Sequence, residues 1–351
     1  MSSKVRVGVI GYGHWGPNLV RNFVELPDAE MVVVAEFDET RLKKVNARYP
    51  RIQCTRDYKE LFKMGLDACV VATPPQTHYA IARDCLEHGL HVLVEKPLTL
   101  DSQTSLALNK LANELNLRLM VGHTFLYNSE VRTLKQLIED GELGTIYYID
   151  AVRVNLGLYQ HHCNVMWDLA PHDISVFMYL LGETPEFVSA SGRSFVMNTK
   201  HDVAYLSLGF PSGKFAHAHV SWINPNKVRR ITIVGSKKMA VYDDIQAMER
   251  IKIFDKGVNL PPYTDSFADF QFSYRHGDMV SPYVDFIEPL HAEAQHFVDC
   301  ITNGWQPVSD GQNGLDVVRV LEAADKSLAM GGNQVACNVA SVPGEPAVAA
   351  R

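Results

Sequence analysis

Two rhythms in the chain predict an α/β protein of two domains. From Lys4 to about Val121, short apolar strands alternate with helix-patterned stretches; after His123, most strands are joined by short turns. The first pattern requires right-handed crossovers and gives a doubly wound parallel sheet. The second gives an α+β domain with a large, mostly antiparallel open sheet. The expected limits are 1–124 for the first domain and 125–340 for the second, whose last helices can pack back on the first. Residues 341–351, rich in Pro and Ala, read as a loosely held tail.

In the first half, strands are expected at Val5–Ile10, Met31–Phe37, Ala68–Ala72, His91–Glu95 and Arg118–Gly122. Helical periodicity fills the gaps, as in Thr77–His88 and Asp101–Leu115. A ligand of such a sheet lies at the carboxyl ends of the strands. Those ends carry Gly11–Gly16, Glu36, Ala72-Thr73-Pro74-Pro75, Glu95-Lys96-Pro97 and His123, so nearly every unusual residue of this half sits on one edge.

The first strand runs into Gly11-Tyr12-Gly13-His14-Trp15-Gly16, a G-x-G-x-x-G turn. Gly11 permits the tight strand-to-helix turn, Gly13 lets the backbone approach a pyrophosphate, and Gly16 lets helix and strand pack closely. The helix N-terminus adds free N–H groups and partial positive charge. Glu36 follows the last glycine by 20 residues, at the end of the second strand, where a carboxylate accepts ribose hydroxyls. Together these features predict a dinucleotide site of Rossmann type. Glu36 favours NAD over NADP because it repels a 2′-phosphate, although Arg41, Lys43 and Lys44 lie a helical turn or more beyond.

In the second half, a helix at about Asn128–Glu139 leads through Gly141 and Gly144 into a strand at Ile146–Asn155. A helix at Pro171–Leu181 is followed by strands at Phe187–Phe195, Val203–Phe210, Lys214–Trp222, Arg229–Val234 and Lys238–Tyr242. Helices at about His291–Thr302 and Gly311–Ala329 close the pattern. On one strand Ala204, Leu206 and Leu208 form an apolar face, while Val203, Tyr205 and Ser207 form a mixed one. The mixed face suits either another subunit or burial within the domain. A homodimer or homotetramer through this sheet is expected chiefly on the family resemblance that the motifs below carry.

With 351 residues, 46% of them hydrophobic, the chain can bury more than one core. A net charge of −7 argues against generic binding to nucleic acid or acidic membrane. The six cysteines (Cys54, Cys69, Cys85, Cys163, Cys300, Cys337) show no C-x-x-C spacing, and no secretory or membrane-spanning apolar run is present. A cytoplasmic, reduced protein is expected.

Two constellations can carry chemistry. Lys96, in Glu95-Lys96-Pro97, would hang over the ligand edge, where an ammonium can hydrogen-bond a substrate hydroxyl; Pro97 fixes the turn and can take a cis bond. As a lone tripeptide it would read as an exposed loop. In Trp167-Asp168-Leu169-Ala170-Pro171-His172-Asp173, helical backbone would put Asp168 and His172 on one face. A carboxylate there would orient the imidazole and stabilise its protonated form, as suits a general acid/base. Equally, Asp168 can cap a helix whose first turn holds Pro171, with His172 a satisfied interface histidine.

In this order, Gly11-x-Gly13-x-x-Gly16, Glu95-Lys96-Pro97 and Asp168-x-x-x-His172 resemble the Gfo/Idh/MocA oxidoreductases, the family of glucose–fructose oxidoreductase and inositol dehydrogenase. The resemblance spans roughly Val5 to Met330. It implies hydride transfer between a sugar or cyclitol secondary alcohol and NAD. His172 would take the hydroxyl proton, Lys96 would hydrogen-bond the same oxygen, and Asp168 would orient or assist His172. Tyr12, His14, Trp15, Thr73, Pro74, His78, Glu95 and Lys96 are expected on the cofactor with the glycines and Glu36. His123, Arg153, Asn155, Tyr159 and Arg229 are expected on the substrate with Lys96, Asp168 and His172. Many relatives place an arginine shortly after the strand leading to His123; this chain reads His123-Thr124-Phe125-Leu126-Tyr127-Asn128.

The stretches Trp167–His172 and Ser221–Arg230 resemble the branch handling nucleotide sugars, so 3-dehydrogenation of an NDP-hexose, or 3-keto reduction, is the leading expectation. Arg153, Lys227, Arg229 and Arg230 could meet its pyrophosphate, though each is individually more at home as a solvated charge. A free-polyol dehydrogenase and a non-catalytic NAD-binding regulator are the alternatives, the latter disfavoured by the joint presence of Lys96, Asp168 and His172. His161-His162-Cys163 lacks suitably spaced partners, and no metal is expected.

Overall fold

The computed structural model describes residues 4–160, 163–196, 199–259 and 273–337. His161, His162 and the tail from 341 lie outside the described residues.

The first domain is a six-stranded parallel sheet in the order β3-β2-β1-β4-β5-β6. Its chain runs β1 (Val5–Ile10), α1 (Gly16–Glu25), β2 (Ala29–Ala35), α2 (Glu39–Arg48), β3 (Gln53–Thr55), β4 (Ala68–Val71), α3 (His78–Glu87), β5 (His91–Glu95), α4 (Ser102–Glu114) and β6 (Leu119–Gly122). Covered on both faces, β1 and β4 are apolar almost throughout, as a parallel sheet requires. The strand order reverses between β1 and β4, which opens a crevice at the carboxyl edge beside Gly11 and Ala72. β3, only three residues without an apolar run, has no signal in the sequence.

The second domain opens with α5 (Ser129–Glu139), β7 (Ile146–Leu156) and α6 (Val165–Leu181). The strands β8 (Phe187–Arg193), β9 (Val203–Gly209), β10 (Phe215–Ser221), β11 (Ile223–Gly235), β12 (Met239–Asp243), β13 (Ile251–Asn259) and β14 (Ser273–Val280) follow. The described chain ends with α7 (Pro289–Asn303), α8 (Gly311–Ala329) and β15 (Val335–Ala336). Nine strands form one sheet, β14-β13-β12-β11-β7-β10-β9-β8-β15. It is antiparallel except for β7 and β10, which run parallel because a helix and two strands intervene between them. β14 and β15 carry too little apolar pattern to be read from sequence.

α6 and α8 cover one face of this sheet. Among the described residues the opposite face stays open: Tyr148 is 43% exposed, Tyr205 43% and Phe215 42%. Burial of the Val203–Tyr205–Ser207 face inside its own domain is therefore corrected.

The last helices bind the two domains together. Glu288, at the start of α7, accepts from both Nη atoms of Arg21 and from the side-chain amide of Asn22, two residues of α1. Glu322 on α8 accepts from the Ser102 N–H at 2.8 Å, and Ser309 Oγ donates to the Val121 carbonyl at 2.7 Å.

Candidate active site

The glycine turn has the geometry its residues predict. Gly11 sits at φ +99°, and a Cβ there would lie 2.6 Å from the Ala72 carbonyl oxygen. A Cβ at Gly16 would collide with the Gly11 carbonyl oxygen. One at Gly13 would meet only Arg41 Nη1, at 3.8 Å, so Gly13 leaves open the space a phosphate needs. Behind it, α1 starts without a side-chain cap and without acidic residues in its first turn, so no side chain there offsets the positive end of the helix dipole.

Glu36 lies at the rim, 5% exposed. Its Oε2 accepts from the Tyr12 N–H at 2.8 Å and from Arg41 Nη1 at 3.4 Å, and its Oε1 accepts from the Asp38 N–H at 3.1 Å. The cavity here measures about 800 Å³ and is lined by Gly11, Gly13, His14, Trp15, Glu36, Thr73, Pro74, Glu95 and Lys96 among others. Its size and donor set fit a dinucleotide.

Two expected cofactor residues are placed differently. The Tyr12 ring is buried in the core, and only its N–H turns to the site. His78 is fully buried, with both ring nitrogens 2.9 Å from backbone carbonyls, those of Pro97 and Thr73. It ties the two edge loops together and does not line the cavity. Arg41, Arg56, Tyr58 and Trp167 line it without having been expected. Arg41 was visible as a helix cation, but its turn back towards Gly13 depends on the fold.

A second cavity, of about 520 Å³, adjoins the first and shares His14, Trp15, Glu95, Lys96, Gln160 and Asp168 with it. Lys96 follows β5 and precedes a cis Lys96–Pro97 bond. Its Nζ donates to the Asp168 main-chain carbonyl at 2.7 Å and lies 3.5 Å from Asp168 Oδ1.

α6 begins at Val165, six residues before the expected start, because Asn164 caps it by accepting from the N–H groups of Met166 and Trp167. Asp168 is therefore inside the first turn and is not the cap. Pro171 falls in the helix interior, where it removes the bond to the Trp167 carbonyl and opens the turn. The adjoining Asp168 carbonyl is the one that Lys96 reaches.

The expected Asp168–His172 pair is also corrected. Asp168 Oδ2 accepts from Trp222 Nε1 at 2.9 Å, and its carboxylate serves Lys96 rather than the imidazole. His172 lines the second cavity with Nδ1 unpartnered, its ring edge-on to Phe125 at 4.9 Å. Burial drives its pKa well down, and the charges of Lys96 and Arg153 add to this. These surroundings favour the neutral ring, where an adjacent carboxylate would favour the protonated one. A neutral imidazole is the form that accepts a proton.

Glu95, recessed between the cavities, is raised by burial to about 7, against the opposing charge of Lys96. His123 is 1% exposed, has neither ring nitrogen partnered, and is pushed by burial down to about 3. It lies behind the cavity wall, outside the lining.

Arg153 lines the cavity but is 6% exposed, held by Asp173 through Nε and Nη2 at 2.9 and 2.8 Å and lying 4.3 Å over the Phe125 ring. Arg229 faces the cavity with Nη1 3.3 Å from Asp244 Oδ2. Asn155 lines it too. Tyr159 does not; its ring packs on Trp222 at 5.2 Å. Lys227 and Arg230 are exposed and line neither cavity. Among the described residues, no cluster of three or more His, Cys, Asp or Glu could hold a metal.

Family models match both halves of the chain: an oxidoreductase family with an NAD-binding Rossmann fold over residues 5–123, and the GFO/IDH/MocA C-terminal domain over residues 131–241. The chain belongs to the Gfo/Idh/MocA oxidoreductase family. It is similar to the scyllo-inositol 2-dehydrogenase (NAD(+)) of Bacillus subtilis, 26% identical over 88% of this chain and 89% of the relative. It is equally similar, at 26% over 84% of this chain and 91% of the relative, to the UDP-N-acetylglucosamine 3-dehydrogenase of Acidithiobacillus ferrooxidans. The solved structure of GenD2 from gentamicin A biosynthesis, in complex with NAD, shares the fold with a TM-score of 0.80 at 23% identity, covering 97% of this chain and 98% of that one. As a Gfo/Idh/MocA member the chain is an NAD-dependent oxidoreductase.

Proposed function

We propose that this Gfo/Idh/MocA enzyme dehydrogenates a ring secondary alcohol of an uncharged, polyhydroxylated substrate, a cyclitol or free sugar, and reduces the matching ketone in reverse. When bound, NAD supplies the hydride acceptor. His172 accepts the hydroxyl proton as the C–H electron pair leaves as hydride and the carbonyl forms. Lys96 hydrogen-bonds the same oxygen, and Asp168 holds Lys96 in place.

The observation that carries the substrate class is charge pairing. Each Lys or Arg lining the second cavity among the described residues has its own carboxylate: Lys96 with Asp168, Arg153 with Asp173, Arg229 with Asp244. Such a wall offers donors and acceptors side by side, which suits hydroxyl groups that do both. A pyrophosphate needs uncommitted cationic donors. The NDP-hexose reading keeps one support, the matched UDP-N-acetylglucosamine 3-dehydrogenase.

NAD reduction measured with inositols, free hexoses and the corresponding NDP-sugars separates the two. Turnover on a free polyol with little on its NDP derivatives is expected. A preference of tenfold or more for an NDP-sugar, on the order of 1.4 kcal/mol, overturns the proposal.

A further inference from the structure

The contact between Lys96 and Asp168 is anchored from a side that the reaction itself does not use. A carboxylate can rotate, and either oxygen of Asp168 could face Lys96. Here Oδ2 is taken by the indole N–H of Trp222 at 2.9 Å, which leaves Oδ1 and the main-chain carbonyl to Lys96. An indole nitrogen can only donate, so the contact has one sense.

Trp222 itself has little freedom. It follows β10 and is 1% exposed. Its N–H donates to the Asp202 carbonyl and its own carbonyl accepts from the Gly157 N–H, both at 2.9 Å. Its ring is packed on one side by Tyr159. The direction of the indole donor is therefore set by the sheet, and through Asp168 the sheet sets where the ammonium sits at the junction of the two cavities.

We propose that Trp222 is a positioning residue of the reaction: it orients the Asp168 carboxylate and so holds Lys96 Nζ where it meets the reacting oxygen. This rests on the roles given above to Lys96 and Asp168. A purely structural Trp222 would fill the same space without needing its nitrogen, and Trp222→Phe keeps most of that volume while removing the donor.

The test is a kinetic cycle of wild type, Trp222→Phe, Asp168→Ala and the double variant, assayed with NAD and the best polyol substrate. Trp222→Phe is expected to lower kcat roughly tenfold, the effect of one hydrogen bond to a charged group, with KM for NAD unchanged. In the Asp168→Ala background the same substitution is expected to cost nothing further. An equal loss in both backgrounds, or wild-type kcat in Trp222→Phe, overturns the proposal while leaving the reading of the site intact. Wild-type turnover in both Lys96→Ala and Asp168→Ala overturns that reading and this proposal with it. Should Trp222→Phe fail to fold, the indole N–H resonances of the four tryptophans give the answer instead. The Trp222 signal is expected to move upfield in Asp168→Ala, and an unmoved signal overturns the proposal.

Discussion

The two cavities that meet at Lys96 recognise their ligands by different means. The cavity we assign to NAD is shaped at its glycine turn by main chain: a glycine at positive φ, a second glycine that leaves room, and a helix start without a side-chain cap, all within residues 11–16. The cavity we assign to the substrate is shaped by side chains brought from β7, α6, β11 and the segments after β5 and β12, each cation fastened to a carboxylate from elsewhere in the chain. Local backbone geometry can be specified in a few residues. Paired side chains need the whole fold, so substitutions should separate the two halves cleanly.

The largest expected effect falls on chemistry alone. His172→Asn and Lys96→Ala are each expected to lower kcat by about 10²–10⁴ while the NAD Kd stays near wild type, measured by steady-state kinetics beside cofactor titration. Equal loss of NAD binding would mean that the cavities are not separable at Lys96.

Next come the ion pairs. Arg153 and Asp173 have side chains only 8% and 2% exposed, so Arg153→Ala leaves a buried carboxylate alone and is expected to destabilise the fold by about 3–5 kcal/mol in denaturant unfolding. The Arg229–Asp244 pair is more open, at 37% and 17% exposure. Arg229→Ala is expected to cost at most about 1 kcal/mol and to act mainly on substrate KM. Similar stability losses for both would remove the distinction between wall and framework.

The same contrast decides what could be read from the sequence. The parallel sheet, the glycine turn and Glu36 were legible because apolar runs and short-range spacing encode them. Lys96, Asp168 and His172 were legible as motifs, but their partners were not. Asp168 was expected on His172 because both lie on one helix; it turns instead to Lys96, 72 positions away, and to Trp222, 54 positions away. Arg153 was read as a solvated or phosphate-binding charge because nothing local announces Asp173, 20 residues on. The start of α6 was misplaced because Pro171 usually marks a first turn, whereas Asn164 supplies the cap.

Within the glycine turn the contrast can be sharpened residue by residue. Gly13→Ala has no backbone to strike and is expected to keep the melting temperature while raising the NAD Kd about tenfold or more. Gly16→Ala drives a methyl group into the Gly11 carbonyl and is expected to lower the melting temperature as well. If both variants merely bind NAD less well, the turn is less tightly packed than its geometry implies.

The smallest effect belongs to Glu95, which borders both cavities. Burial raises its carboxyl to about 7, so it is mostly neutral at pH 6 and negative at pH 8. The oxidised nicotinamide ring is positive and the reduced ring is neutral. A carboxylate that faces the ring therefore strengthens NAD+ binding as pH rises through 7 and leaves NADH binding nearly constant. The expected gain between pH 6 and pH 8 is a few-fold, at most about tenfold, in calorimetric titrations, and Glu95→Gln should flatten it. If NAD+ and NADH shift together, the carboxylate acts on the fold rather than on the ring. If only substrate KM shifts, Glu95 belongs to the polyol side, and the boundary between main-chain and side-chain recognition moves one residue towards β5.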